Sequence, residues 1–191
     1  MKKFLALVFA AGVAVSAQAV DIIYRGNSTD DKDIVCYYQG GKFYADKDRK
    51  ECLYHHPGNM VAKEAKATPK NAIYRLMSDK IYKGFSTKKE DCVATIFDIK
   101  TFKGNTVRAK IYPGFVIVRD KVEKSIPGGS EYTSFKTTRD AINPEEIPTL
   151  FTIEDKKIYK GDSTDPANCV FTLKGSFNSS RLLFIAIELA K

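Results

Sequence analysis

One seven-residue motif is written three times along this chain. Ile23-Tyr24-Arg25-Gly26-Asn27-Ser28-Thr29 returns as Ile81-Tyr82-Lys83-Gly84-Phe85-Ser86-Thr87 and as Ile158-Tyr159-Lys160-Gly161-Asp162-Ser163-Thr164. Five positions are identical in all three copies and a sixth exchanges only Arg for Lys. Such self-similarity demands that each copy adopt the same local structure and pack against its like.

The similarity continues past the motif. Cys92-Val93-Ala94-Thr95-Ile96 and Cys169-Val170-Phe171-Thr172-Leu173 follow two copies, and Ile34-Val35-Cys36-Tyr37-Tyr38 occupies the same place after the first. A degenerate fourth copy is visible at Phe43-Tyr44-Ala45-Asp46, followed by Cys52-Leu53-Tyr54. Each unit predicts strand, turn, strand. The flanks are rich in Ile, Val, Tyr, Phe and Thr, which suit a pleated, half-buried surface. Between them Gly supplies positive φ, and the Ser and Thr hydroxyls bond nearby backbone groups. Gly40-Gly41, Asp79-Lys80 and Asp155-Lys156 mark the intervening reversals.

The fold expected is therefore all-β, an antiparallel meander of short repeated hairpins closing into a barrel or sandwich. The repeat units span about residues 20–56, 72–118 and 149–189 within one domain over 20–191. Val107, Ala109 and Ile111 alternate with Arg108 and Lys110, the pattern of a half-buried strand. Phe115–Val118 and Leu182–Ile187 are apolar on both faces and are expected as core strands. Asn59–Lys70 predicts a short helix or linker, and Arg139–Pro148 a surface loop.

The first nineteen residues predict a secretory signal peptide. Lys2 and Lys3 precede an apolar stretch from Phe4 to Val15, and Ala17-Gln18-Ala19 fits the small-x-small cleavage pattern. No later apolar run is long enough to cross a bilayer as a helix. The expected product is periplasmic or secreted, and loss of the leader lowers the net charge from +8 to +6. The four cysteines are then expected as two disulfides, Cys36–Cys52 and Cys92–Cys169, the first worth about 3 kcal/mol by chain entropy.

The Ile-Tyr-x-Gly-x-Ser-Thr unit with its trailing Cys-Val-x-Thr resembles a repeat found in small exported bacterial proteins of unassigned function. The resemblance covers about half of the mature chain and implies no activity.

Catalytic signatures are missing from the sequence. It has no Gly-x-Ser-x-Gly elbow, no His-Glu-x-x-His and no Gly-rich loop opening a helix. His55 and His56 are adjacent, so on an extended chain they point to opposite faces and do not share an ion. The acidic turns Asn27–Asp31 and Asp162–Asp165 tempt a calcium assignment, but the middle copy puts Lys88-Lys89 where the others have acids. No cofactor or metal is expected, and no catalytic residue is assigned; Asp98 with Glu123 is the one carboxylate pair considered.

The recurrent polar feature is Tyr beside a basic residue: Tyr24-Arg25, Tyr82-Lys83 and Tyr159-Lys160, with Tyr74-Arg75 elsewhere. Aligned repeats would turn these into an aromatic-basic stripe suited to an anionic polymer, the ring stacking while the cation neutralises charge. The plainer alternative is ordinary cross-strand pairing, with Lys discouraging edge association. The function expected is a non-catalytic binding or structural module of the bacterial envelope, its partner an anionic polymer or another protein. The alternatives are an inhibitor acting through the Ser125–Glu131 loop, around Pro127-Gly128-Gly129, and a small hydrolase with a carboxylate site.

Overall fold

The computed structural model describes residues 20–63, 66–101, 106–117, 120–126, 129–135 and 146–175. The described residues hold fourteen strands linked in one sheet. They are β1 (Asp21–Arg25), β2 (Ile34–Gln39), β3 (Lys42–Tyr44), β4 (Cys52–His55), β5 (Met60–Ala62), β6 (Ala72–Met77) and β7 (Lys80–Lys83). There follow β8 (Cys92–Thr101), β9 (Thr106–Pro113), β10 (Asp120–Ile126), β11 (Gly129–Phe135), β12 (Phe151–Glu154), β13 (Lys157–Lys160) and β14 (Cys169–Lys174). Among the described residues no helix is long and apolar enough to cross a membrane.

Twelve of these strands form a closed antiparallel barrel. The pairing runs from β1 through β9 to β12, β13 and β14, and β14 pairs back onto β1. The ring contains six like units: β1–β2, β3–β4, β5–β6, β7–β8, β9–β12 and β13–β14. Asn59–Lys70, expected as a helix or linker, instead contributes β5, because Val61 and Ala62 are needed to fill the third place in the ring. Between β9 and β12 the chain inserts the β10–β11 hairpin, which among the described residues pairs with the ring through Val122↔Lys100 and Glu123↔Thr101 of a parallel ladder. Phe115–Ile117 is not a strand. The chain turns at Gly114, and Val116 packs with Phe97 and Tyr112 in a small second core. Leu182–Ile187 lies outside the described residues.

The core is built in three layers, two of six residues and one of five. The central layer takes the first motif residue of every unit: Ile23, Phe43, Val61, Ile81, Ile111 and Ile158, each at most 1 % exposed. The paired strands supply the layer on one side, Cys36, Tyr54, Tyr74, Ala94, Phe151 and Phe171, in register with those residues. On the other side, Tyr38, Leu76, Ile96, Ile153 and Leu173 face the same central residues across the neighbouring units. The alternation of a strand explains why Ile points inward while the following Tyr points outward.

A bulge follows the central layer at the same place in five units, between Ile and Tyr or their equivalents. One residue on the returning strand is left over: Val35, Leu53, Ile73, Val93 or Val170. The extra residue twists the strand and frees its carbonyl. The motif glycine of the next unit takes that carbonyl up, in Gly26 N–H to Val170 O at 2.7 Å, Gly84 to Ile73 at 2.8 Å and Gly114 to Val93 at 3.0 Å. Gly26, Gly84, Gly114 and Gly161 sit at φ between 61° and 69°, the left-handed region glycine adopts without penalty.

Candidate functional site

The two ends of the barrel differ. At one end reversals of two or four residues join the units; at the other the motif loops emerge. Each Ser of the motif folds its own loop. Ser28 Oγ donates to Asp33 at 2.6 Å and accepts from Asp30 N–H, and Ser86 repeats this with Asp91 and Lys88. Ser163 accepts from both Asp165 N–H and Asn168. These polar side chains are thus committed to a short 3-10 turn. Among the described residues no three metal-ligating side chains cluster.

The sequence-named tyrosines and cations part company here. Tyr24, Tyr82 and Tyr159 are only 2 %, 7 % and 6 % exposed. Their register neighbours are Thr172 and Ile34, Arg75 and Cys92, and Thr152 and Cys169 respectively. Burial pushes the Tyr82 and Tyr159 hydroxyls up, so both stay neutral. An aromatic stripe of these rings is therefore corrected: packed into the wall, they have no free face. Tyr74 belongs to the inner core, while Arg75 lies outside it with its guanidinium carbon 4.2 Å from the Phe85 ring centre.

The cations do line up. Arg25 stands opposite Phe171, Lys83 opposite Tyr74 and Lys160 opposite Phe151, each one step beyond the inner core. Lys63 follows Val61-Ala62 in the same way. Ala45 and Pro113 complete this level, and all six residues are exposed. The barrel mouth therefore carries four cations in six places. Lys63 neighbours Lys83 and Lys160 neighbours Arg25, with Ala45 and Pro113 between the two pairs. Neighbouring positions are two strands, about 9.5 Å, apart. Among the described residues none of the four has an ion-pair partner, whereas Lys80, Arg108 and Lys110 are engaged with Asp79, Glu154 and Asp162.

The cysteines are all free thiols, which corrects both expected disulfides. In the repeat register Ile34, not Cys36, takes the place of Cys92 and Cys169, and Cys36 takes that of Ala94 and Phe171. Cys36 lies on the inner face opposite Ile23, whereas Cys52 lies beyond the bulge opposite Tyr44 on the outer face. Cys92 and Cys169 are four ladder steps apart, about 19 Å along the sheet, beyond the Cα separation of about 7 Å that a disulfide spans. Burial pushes the Cys36 thiol up to about 12 and raises Cys52 and Cys92 as well. These groups are protonated at neutral pH and weakly nucleophilic.

The other candidates fall apart spatially. Glu123 is registered opposite Thr101, three residues beyond Asp98 and about 10 Å along the strand. His55 Nδ1 accepts from Ala67 N–H at 3.0 Å, and burial lowers its pKa. His56 is buried, and its N–H donates to Gly41 O. Ser125–Glu131 forms the tip of the β10–β11 hairpin; residues 127–128 lie outside those described.

Sequence comparison missed two of the six units. Ile111-Tyr112-Pro113-Gly114 is a full Ile-Tyr-x-Gly copy, concealed because its returning strand, β12, comes nearly forty residues later. Val61-Ala62-Lys63 keeps only the small apolar character of the first two positions. The ring, its bulges and its glycine bonds define a closed repeat protein with one unit per hairpin. Residues 18–113 match the model of the 6-fold beta flower protein family, and the chain belongs to it. No curated protein and no solved structure matches the chain.

Proposed function

We propose that this chain is an exported, non-catalytic binding module of the bacterial envelope that holds an anionic polymer against the barrel mouth. The supporting observation is the single level occupied by Arg25, Lys63, Lys83 and Lys160, exposed and without ion-pair partners among the described residues. Export rests on the leader-like residues 1–19. A cation held on a rigid rim without a protein counter-charge is available to release counterions from a polyanion.

The test compares two quadruple variants by titration with lipopolysaccharide and heparin across a salt series. Replacing Arg25, Lys63, Lys83 and Lys160 with Gln should weaken binding at least tenfold and flatten the salt dependence. The comparison variant replaces Lys42, Lys156, Lys157 and Lys174, away from the mouth. Equal losses would mean diffuse attraction and remove the mouth. Lys63 belongs to the rim set, although sequence alone placed it in a linker.

A second reading, inhibition of a hydrolase, has the β10–β11 hairpin in its favour. This hairpin stands outside the ring and is tied to it by two residue pairs. Loss of inhibition across a hydrolase panel on deleting residues 120–135 would support it.

A further inference from the structure

The mouth is not electrically uniform. The loop after β1, residues 26–33, carries three aspartates and one lysine; the loop after β13, residues 161–168, carries two aspartates and no cation. In the corresponding segments of the third and fourth units, residues 63–71 and 83–91, six cations stand against three carboxylates. Both of the third and fourth units' rim positions are lysines, and Lys66, Lys70, Lys88 and Lys89 are exposed beside them. The loops after Arg25 and Lys160 are net acidic, whereas those after Lys63 and Lys83 carry Lys66, Lys70, Lys88 and Lys89 against Glu64, Glu90 and Asp91.

The same sector carries an apolar anomaly. The residue after the motif glycine is Asn27 in the first unit and Asp162 in the last, both exposed and polar. In the fourth unit it is Phe85, which remains 40 % exposed with Arg75 stacked on it. Gly84 N–H bonds Ile73 O, which sets Phe85 beside the base of the Lys63–Asn71 loop. An exposed ring backed by a guanidinium, in a sector whose loops carry exposed lysines, stacks an apolar ligand face while anions are neutralised nearby.

We infer that the Phe85 shoulder of the third and fourth units is the docking surface, and that its partner is an acidic polysaccharide. This rests on the polyanion function proposed for the mouth and deepens it. The rim cations are about 9.5 Å apart, two strand spacings. That interval suits a glycan with one charge per disaccharide better than a nucleic acid, which carries a charge on every nucleotide, one per about 3.4 Å of axis in each strand of a duplex. The axial C–H face of a sugar ring packs flat on a phenyl face, and export brings glycans within reach.

The probe is hyaluronan, with one carboxylate per disaccharide, compared with oligothymidylate of equal charge. Phe85→Asn installs the residue the first unit already tolerates, so folding should be retained, which a thermal melt checks. Hyaluronan affinity should fall roughly five- to tenfold, the order a single stacked ring contributes. The triple variant Lys66→Gln, Lys70→Gln, Lys88→Gln should weaken hyaluronan binding more than the triple Lys42→Gln, Lys157→Gln, Lys174→Gln. Unchanged affinity in Phe85→Asn, with loss in the rim quadruple variant, would overturn the shoulder and leave the mouth standing. Tighter binding of oligothymidylate than of hyaluronan would overturn the glycan. No binding of either polymer, nor of lipopolysaccharide or heparin, would overturn both proposals.

Discussion

Thr172 Oγ donates to the carbonyl oxygen of Gly26 at 2.7 Å, joining residues 146 apart in sequence. The bond spans the seam where the last unit meets the first. Thr95 makes the same bond to Gly114 O and Thr152 to Gly161 O, both at 2.8 Å. The trailing Thr of the repeat is therefore a circumferential fastener between neighbouring units.

Thr172→Val keeps the shape and removes the donor. It should destabilise by about 1 kcal/mol, the usual net worth of such a bond. Thr152→Val should cost a similar amount and Thr95→Val more, because Thr95 Oγ also accepts from the Val116 N–H at 3.1 Å. The three should add, since they lie in separate seams. Urea unfolding reads this as a lower midpoint with an unchanged slope. A Thr172→Val midpoint equal to that of the parent would deny the fastener.

Alkali should destabilise the protein. Burial pushes Tyr112 from 10.0 up to about 12, and Cys36 from 9.0 up to about 12. Below pH 9 both are protonated in either state and their contribution is intact. Between about pH 9 and 12 the unfolded chain loses protons that the folded chain keeps, so stability falls, by up to about 1.4 kcal/mol per pH unit for each group. Unfolding midpoints across this range should be flatter for Cys36→Ala combined with Tyr112→Phe. An identical slope would assign the alkaline loss to other groups.

The turn between β12 and β13 places Asp155 at φ 47° and Lys156 at φ 62°. Two successive left-handed residues form the mirror turn that matches hairpin twist, for which Asn-Gly is the favoured pair. Asp155→Asn with Lys156→Gly should stabilise by about 1 kcal/mol, the order of the strain removed. Replacing Lys156 also removes its contact to Gly175 O, an exposed bond that offsets little. Thermal melts measure the gain; a loss would show that the contact matters more than the strain.

Thiol alkylation followed by mass measurement checks the cysteines. Unfolded protein prepared without reductant should take up four labels, and native protein should label Cys36 slowest. Finding Cys92 joined to Cys169 would contradict their four-strand separation.

Much of the barrel was legible because three units repeat their sequence as well as their structure. Ile23, Ile81 and Ile158 announce the central layer, and the glycines announce the loops. The rest was hidden by what a layer tolerates. Phe43 and Val61 fill the same site as Ile because the interior asks for volume and apolarity, not identity. The fifth unit was hidden by its insertion. Tyr–basic pairs were visible as sequence, but alternation sends the two side chains to opposite faces, and in the folded wall the rings are covered while the charges stay exposed. The cysteine pairing failed because Cys36 stands in register with the inner layer's Ile23 while Cys52 lies beyond its unit's bulge, and because the strands of Cys92 and Cys169 are four ladder steps apart.

Closure has an evolutionary consequence. An open solenoid can gain or lose a repeat at either end, because each repeat contacts only its neighbours. Here β14 must return to β1, so a seventh unit would alter the circumference and every layer at once. Sequence novelty is steered instead into the loops, and the largest departure, the segment carrying β10 and β11, was accommodated between two strands of one unit without disturbing the count.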